Sequence, residues 1–428
     1  MSRGMTPAEL EARQLAFMES FDAHPPIAEA IQHTGVYATS VHLESLQHRP
    51  GAGVTGVYRV ATGRPVMPRG GPAGAYTETS DHVDELYVGM TTEPVPADAD
   101  GVVQSHSPYG RLSIWQHPLD PSLPGLRIAT DPDSVRNVWG AGRDLVSLET
   151  ISYRPLRRAV IAAEFDDGTR LFLKVLRERR AHHLHTRHQL LLDAGIPAAV
   201  PVREPVLDVV ALQEGSGESL AEYFLADGAA AAAPEQFIDL LEKLPAEVMT
   251  LPAREAWTDR LSAYASAASS ALPEAEDRIR ALVEHISAAL PLTNRGPVVP
   301  THGDFYEANL LMRGGEVSAL LDVDSLGPGH RVDDLACFLG HLAVLPAVDP
   351  RYVHVPAAFE RFASGFAATV DAQGLRVRTA SVALSLVAGA RDTRRRQWQA
   401  QAEHRLSCAE AVVGLRPAGP ALPEWPRL

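Results

Sequence analysis

Asp304 and Asn309 lie five residues apart in His302-Gly303-Asp304-Phe305-Tyr306-Glu307-Ala308-Asn309, so one short stretch of chain carries a carboxylate and an amide. A carboxylate in such a loop can take the proton of an attacking hydroxyl, and an amide oxygen beside it can hold a hard divalent cation. Two apolar runs follow, residues 308–312 and 317–324, with the turn signal Arg313-Gly314-Gly315-Glu316 between them. The segment reads as a β-hairpin. Folding about the glycine pair returns Asp322 to the open end near Asn309, with Asp324 two residues on as a second carboxylate. The predicted result is a cluster of oxygen ligands suited to Mg²⁺.

The spacing His-x-Asp-x-x-x-x-Asn is that of a kinase catalytic loop. Together with Leu321-Asp322-Val323-Asp324, Gly329 and Asp334-Leu335-Ala336, it resembles the aminoglycoside phosphotransferase and maltokinase-like superfamily. These are kinase-fold enzymes that phosphorylate small molecules, and the resemblance extends over residues 148–413. It implies an α+β, bilobal protein-kinase-like fold, ATP and Mg²⁺ as cofactors, Asp304 as catalytic base, and Asn309 and Asp322 as metal ligands. Asp322 plays the part of the DFG aspartate, and Asp334 that of a structural aspartate bracing the loop. The motifs are specific to the fold far more than to the substrate.

Such an arrangement needs an ammonium for the nucleotide phosphates, and the chain has only two lysines against 37 arginines. Lys174 follows residues 159–165, the turn Asp166-Asp167-Gly168 and the run 169–173, in the order strand, turn, strand, Lys. A solvated edge lysine is the competing reading. Lys243 lies in a Leu-rich helical stretch and reads as surface. Two features depart from the kinase pattern. The loop at 153–158 has no glycine, and no Glu occurs between Glu178 and Glu204 to pair with Lys174, where His188 or Gln189 could substitute. Residues 209–215 read as an interlobe hinge, with backbone at Gln213 and Glu214 meeting adenine.

The first third contains a second copy of the strand pattern. Residues 43–50, Leu-Glu-Ser-Leu-Gln-His-Arg-Pro, recur 105 positions later as Leu-Glu-Thr-Ile-Ser-Tyr-Arg-Pro, and after an insertion Gly89 takes the place of Lys174. Residues 30–130 therefore read as a degenerate small-lobe copy, similar to the cap of maltokinase-like enzymes. The expected domains are a cap at 1–135, a small lobe at 136–214 and a mainly helical C-lobe at 215–428. Gly51-Ala52-Gly53-Val54-Thr55-Gly56 spells a dinucleotide fingerprint, yet a strand-like run rather than a helix follows it.

The acceptor is expected among the C-lobe helices. The last long helix is read as carrying residues 391–399, where Asp392 could pair an ammonium, Gln397 could bridge hydroxyls and Trp398 could face a pyranose. Asp392 with Arg395 or Arg396 is also an ordinary helix-surface pair. A net charge of −14 disfavours nucleic acid and attracts cations. Cys337 and Cys408 are too few for a disulfide framework and read as buried thiols in helices. With no apolar run at the amino terminus and no membrane span, the expectation is a cytoplasmic monomer or homodimer. The whole pattern resembles the actinobacterial glucosamine kinases, which implies phosphorylation of D-glucosamine at its 6-hydroxyl. An aminoglycoside phosphotransferase, a neutral-sugar kinase and a non-catalytic kinase-fold binding module are the alternatives.

Overall fold

Alternating apolar residues lay down two antiparallel sheets in the first of the two units into which the chain divides, Met1–His183 with Val202–Gln213. The computed structural model describes residues 5–49, 51–63, 84–96, 98–391, 397–416 and 422–426. Helix α1 (Pro7–Glu19) starts at a reciprocal capping box between Thr6 and Glu9, with a proline in its first turn. After α2 (His24–Gln32) come β1 (Tyr37–Arg49), β2 (Gly53–Gly63), β3 (Asp84–Thr91), β4 (Val102–Ser107) and β5 (Gly110–Gln116), in the spatial order β1-β2-β3-β5-β4. Their inward residues Val54, Tyr58, Val60, Val88, Met90, Leu112 and Ile114 close on Phe17 and Met18 of α1 and on Ile27 and Ile31 of α2. The fingerprint-like glycines fall on the β1–β2 turn and the start of β2, so a strand follows them.

After two short helices, α3 (Leu126–Ala129) and α4 (Pro132–Trp139), the second sheet begins with β6 (Leu145–Arg154), β7 (Arg158–Phe165) and β8 (Arg170–Leu176). Helix α5 (Arg180–Asp193) comes next, and β9 (Val209–Gln213) completes the order β6-β7-β8-β9. Ala159, Ile161, Ala163 and Phe165 alternate along β7, and Leu171, Leu173 and Val175 along β8; all seven pack on one face with Leu126, Val135 and Trp139. The same period of two sends Lys174 to the opposite face. There it is half-buried, opposite Val160 on one side and Val210 on the other.

The second unit, Leu184–Pro201 with Glu214–Leu428, is mainly helical. Its elements are β10 (Glu218–Ser219), α6 (Leu220–Asp227), α7 (Pro234–Glu242), α8 (Leu261–Ala271), α9 (Glu276–Ala289), β11 (Val298–Thr301), β12 (Leu310–Arg313), β13 (Glu316–Leu320), β14 (Gly327–His330), α10 (Arg331–Val348), α11 (Val355–Ala367), α12 (Ala372–Ser385) and α13 (Trp398–Val412). Phe338 of α10 lies at the centre of an aromatic cluster, its ring 5.2 to 6.1 Å from those of Phe224, Phe237, Phe305, Phe362 and Phe366. Such a cluster gains edge-to-face energy beyond area burial and ties four chain segments to α10. Both cysteines are buried thiols in helices, as expected. Among the described residues no helix is long and apolar enough to cross a membrane.

Candidate active site

The β12–β13 hairpin closes through Gly314 and Gly315, both with positive φ (60° and 86°), and Arg313 faces Glu316 across them. A two-residue turn of that hand matches strand twist and fixes the register. At the open end the amide N–H of Leu321 donates to Asn309 O at 2.8 Å, and His302 Nε2 donates to Leu321 O at 2.9 Å. Leu321 thus cross-links the two segments that carry Asp304, Asn309, Asp322 and Asp324.

The loop itself is braced from α10. Asp334 accepts the amide N–H of His302 on Oδ2 and that of Gly303 on Oδ1, both at 2.8 Å. Burial pushes the Asp334 carboxyl up to about 7, while the two amides pull it back down. Gly303 sits at φ +79°, and a Cβ there would meet Ser325 O at 2.6 Å, so only glycine fits between His302 and Asp304. Asn309 donates through Nδ2 to Asp304 O at 2.9 Å, which leaves Oδ1 as an available acceptor atom. Asp322 holds φ 52°, ψ 51°, a left-handed conformation that costs a non-glycine residue of order 1 kcal/mol. Phe305 anchors the middle of the loop in the aromatic core.

A thiol, an aromatic ring and an imidazole lie near Asp304. Cys337 Sγ lies 4.0 Å from Asp304 Oδ1, and Tyr306 stacks on His341 with ring centroids 3.9 Å apart. Burial lowers the His341 pKa to about 3, and burial followed by the Asp304 charge drives the Cys337 thiol well up. Glu307 is fully enclosed; burial pushes its carboxyl up to about 7, and Oε2 has no hydrogen-bond partner among the described residues. Arg254 donates to Gly303 O at 3.0 Å and lies over the Trp257 ring. On that side a cavity of about 340 Å³ is lined by Arg254, Trp257, Thr301, Gly303 and Ser325, among others.

The other sequence-predicted residues lie apart from this cluster in the chain. Lys174 is on β8 of the first unit; Gln213 ends β9 and Glu214 begins the next stretch of the second unit, both exposed. Before residue 391, α12 stops at Ser385 and a 3-10 turn spans Ala388–Ala390; after the undescribed residues, α13 starts at Trp398. Gln397 is exposed just before that start, Trp398 is half-buried as its first residue, and Asp392 lies outside the described residues. Sequence reasoning missed Cys337 and His341 as neighbours of Asp304. The available signal was their i, i+4 spacing just after Asp334-Leu335-Ala336, which places both on one helix face.

A Lys-bearing antiparallel sheet, and a separate helical unit with a braced loop and hairpin, make this a kinase-like α+β architecture. Residues 156–366 match the model of the phosphotransferase enzyme family (APH). Comparison with curated proteins gives no significant match. Among solved structures the chain is similar to macrolide 2'-phosphotransferase MphH from Brachybacterium faecium, with 21% identity, 64% of this chain and 98% of that one covered, and a TM-score of 0.40. A choline/ethanolamine kinase family protein from Mesorhizobium loti aligns with 15% identity, 66% and 93% coverage and a TM-score of 0.44. Spectinomycin phosphotransferase, solved with ADP and spectinomycin, aligns with 14% identity, 64% and 91% coverage and a TM-score of 0.45. The acceptors in those names belong to those proteins.

Proposed function

We propose that the chain is an ATP- and Mg²⁺-dependent small-molecule kinase that phosphorylates a sugar hydroxyl, with D-glucosamine as acceptor and glucosamine 6-phosphate as product. The observation that carries this reading is the double bracing of the 302–309 loop, by the Asp334 carboxylate on one side and by Leu321 of the hairpin on the other. Positioning of that kind is most of what phosphoryl transfer asks of a protein.

In this reading Asp304 orients the acceptor hydroxyl and takes its proton. Asn309 and Asp322, with Asp324 as a further ligand, are the residues that would hold Mg²⁺. The donor set fits a hard cation, because every candidate atom is oxygen and the asparagine nitrogen is already spent on Asp304 O. Bound there, the ion supplies charge neutralisation at the phosphate oxygens. Lys174 is assigned to the nucleotide phosphates, and the backbone at Gln213 and Glu214 to adenine. The amino-sugar assignment is supported by the acidic loop and by a chain charge of −14, both of which favour a cationic acceptor. Gln397 and Trp398 are assigned to the sugar, as is Asp392. Residues 1–135 are read as a cap built on a small-lobe copy that lacks the lysine.

The test is ADP release over glucosamine, glucose, maltose and kanamycin, with and without Mg²⁺. Glucosamine-dependent release that needs Mg²⁺ supports the proposal. Preference for kanamycin makes the chain an aminoglycoside phosphotransferase, preference for glucose or maltose makes it a neutral-sugar kinase, and no release with any of the four points to a binding module. Asp304→Ala should cost roughly three to five powers of ten in turnover while ATP still binds. Near-normal turnover in that variant rejects Asp304 as the base.

A further inference from the structure

Asp304, Cys337 and His341 each bring one potential ligand atom to a common point, and these atoms lie within 4.8 Å of one another. Cys337 and His341 are four residues apart on α10, so a single helix face delivers the sulfur and the imidazole together. The loop delivers the carboxylate, with Oδ1 4.0 Å from Sγ. His341 Nε2 is shut off from solvent and has no hydrogen-bond partner among the described residues. A buried ring nitrogen without a partner is costly in a folded protein and asks for a ligand. Burial also keeps this imidazole neutral, the form whose lone pair binds metal.

We propose that these three residues form a site for a borderline-soft divalent cation of the Zn²⁺ class, separate from the all-oxygen cluster of Asn309, Asp322 and Asp324, and that its occupancy withdraws Asp304 from phosphoryl transfer. The donor set decides the class. One sulfur, one nitrogen and one carboxylate oxygen match tetrahedral zinc and mismatch Mg²⁺, which keeps to oxygen. Tetrahedral Zn²⁺ with bonds of about 2.0 to 2.3 Å places neighbouring ligand atoms roughly 3.5 Å apart. Small side-chain rotations about the 4.8 Å cluster therefore close it on an ion. On binding, Cys337 releases its thiol proton to solvent and the thiolate takes the metal; a water completes the fourth position. The consequence for activity rests on the reading of Asp304 as base, whereas the site itself does not.

Co²⁺ and Zn²⁺ added to the purified full chain test this. Co²⁺ should give a thiolate-to-cobalt charge-transfer absorption that Zn²⁺ removes. The band should vanish in Cys337→Ser and persist in Cys408→Ser, which changes the other buried thiol. In His341→Gln, Zn²⁺ affinity should fall at least about tenfold, with thermal melts checking that each variant folds. The absence of the band in the wild-type chain overturns the site without reference to any variant, as does its persistence in Cys337→Ser. In the kinase assay Zn²⁺ should inhibit, excess Mg²⁺ should not restore turnover, and a chelator should. Cobalt and zinc binding with undiminished turnover overturns the capture of Asp304. If no acceptor supports turnover, the kinase reading fails and the absorption band still decides the metal site.

Discussion

Two three-strand meanders in the first unit share features of register and differ in their third strands. In β1–β2 Arg49 stands opposite Gly53, in β6–β7 Arg154 stands opposite Arg158, and the first strand of each hairpin carries two register shifts. One residue of each turn corresponds in conformation and in its partner. Gly51 has φ 80° and gives its amide to Glu11 Oε1 at 2.7 Å; Leu156 has φ 61° and gives its amide to Asp120 Oδ2 at 2.8 Å. The third strands part company. Gly89 faces Trp115 across β3–β5, and a Cβ added there would come within 2.3 Å of the indole. Lys174 faces the smaller Val210 across β8–β9 and keeps its side chain. Strand order is thus set by cheap alternation, and whether a pleat position can carry a functional side chain is set by the residue its neighbouring strand lays across it.

Lys174→Met is the strongest way to break the comparison. If only the second meander handles phosphate, kcat/KM for ATP should fall by roughly two to three orders of magnitude while the melting temperature hardly moves. Unchanged ATP kinetics would make the two third strands functionally equivalent. A smaller effect is expected at Gly89→Ala, where the methyl must displace a fully buried indole that donates to Tyr153 Oη at 3.1 Å. Overpacking of this kind costs about 1 to 3 kcal/mol, read as a lower melting temperature with ATP KM unchanged. In a Trp115→Ala background the same change should cost less, and additive losses would show that the indole is not what excludes a side chain at position 89.

What the chain disclosed beforehand was local. The backbones at Asn309 and Leu321 pair because a two-residue glycine turn fixes register, and Lys174 turns away from the core because β-strands alternate; both are arithmetic over fewer than fifteen residues. The i, i+4 spacing puts Cys337 and His341 on one helix face, but that this face meets Asp304 is a matter of packing, seen where Phe305 contacts Phe338, and has no periodic signature. Of the helix expected through 391–399, only its end is described: α13 starts at Trp398, while residues 392–396 lie outside the described residues. The glycine-free loop at 153–158 departs from the kinase pattern. It is a positive-φ turn held by a carboxylate more than thirty residues earlier, and nothing in the spacing of Asp120 announces that bond.

Asp120 offers the finest test of the comparison. It is buried, with Tyr153 Oη and the Leu156 amide both on Oδ2 at 2.8 Å and the Ser122 amide on Oδ1 at 2.8 Å. Burial raises its pKa above the ordinary carboxylate value, against the pull of those hydrogen bonds. A carboxyl whose folded value exceeds its unfolded one favours folding most below the unfolded value near 4, and that contribution is lost as pH rises through the raised value. Asp120→Asn cannot titrate, so the fall in melting temperature across that window should flatten. The amide must also turn its nitrogen toward at least one of the three donors, which loosens the β6–β7 turn at any pH. ATP KM should then rise by a few-fold, the smallest effect of the series. An unchanged pH slope together with an unchanged KM would mean that the turn at Leu156 needs its carboxylate no more than the glycine turn at Gly51 does, and the contrast between the two meanders would reduce to Lys174 alone.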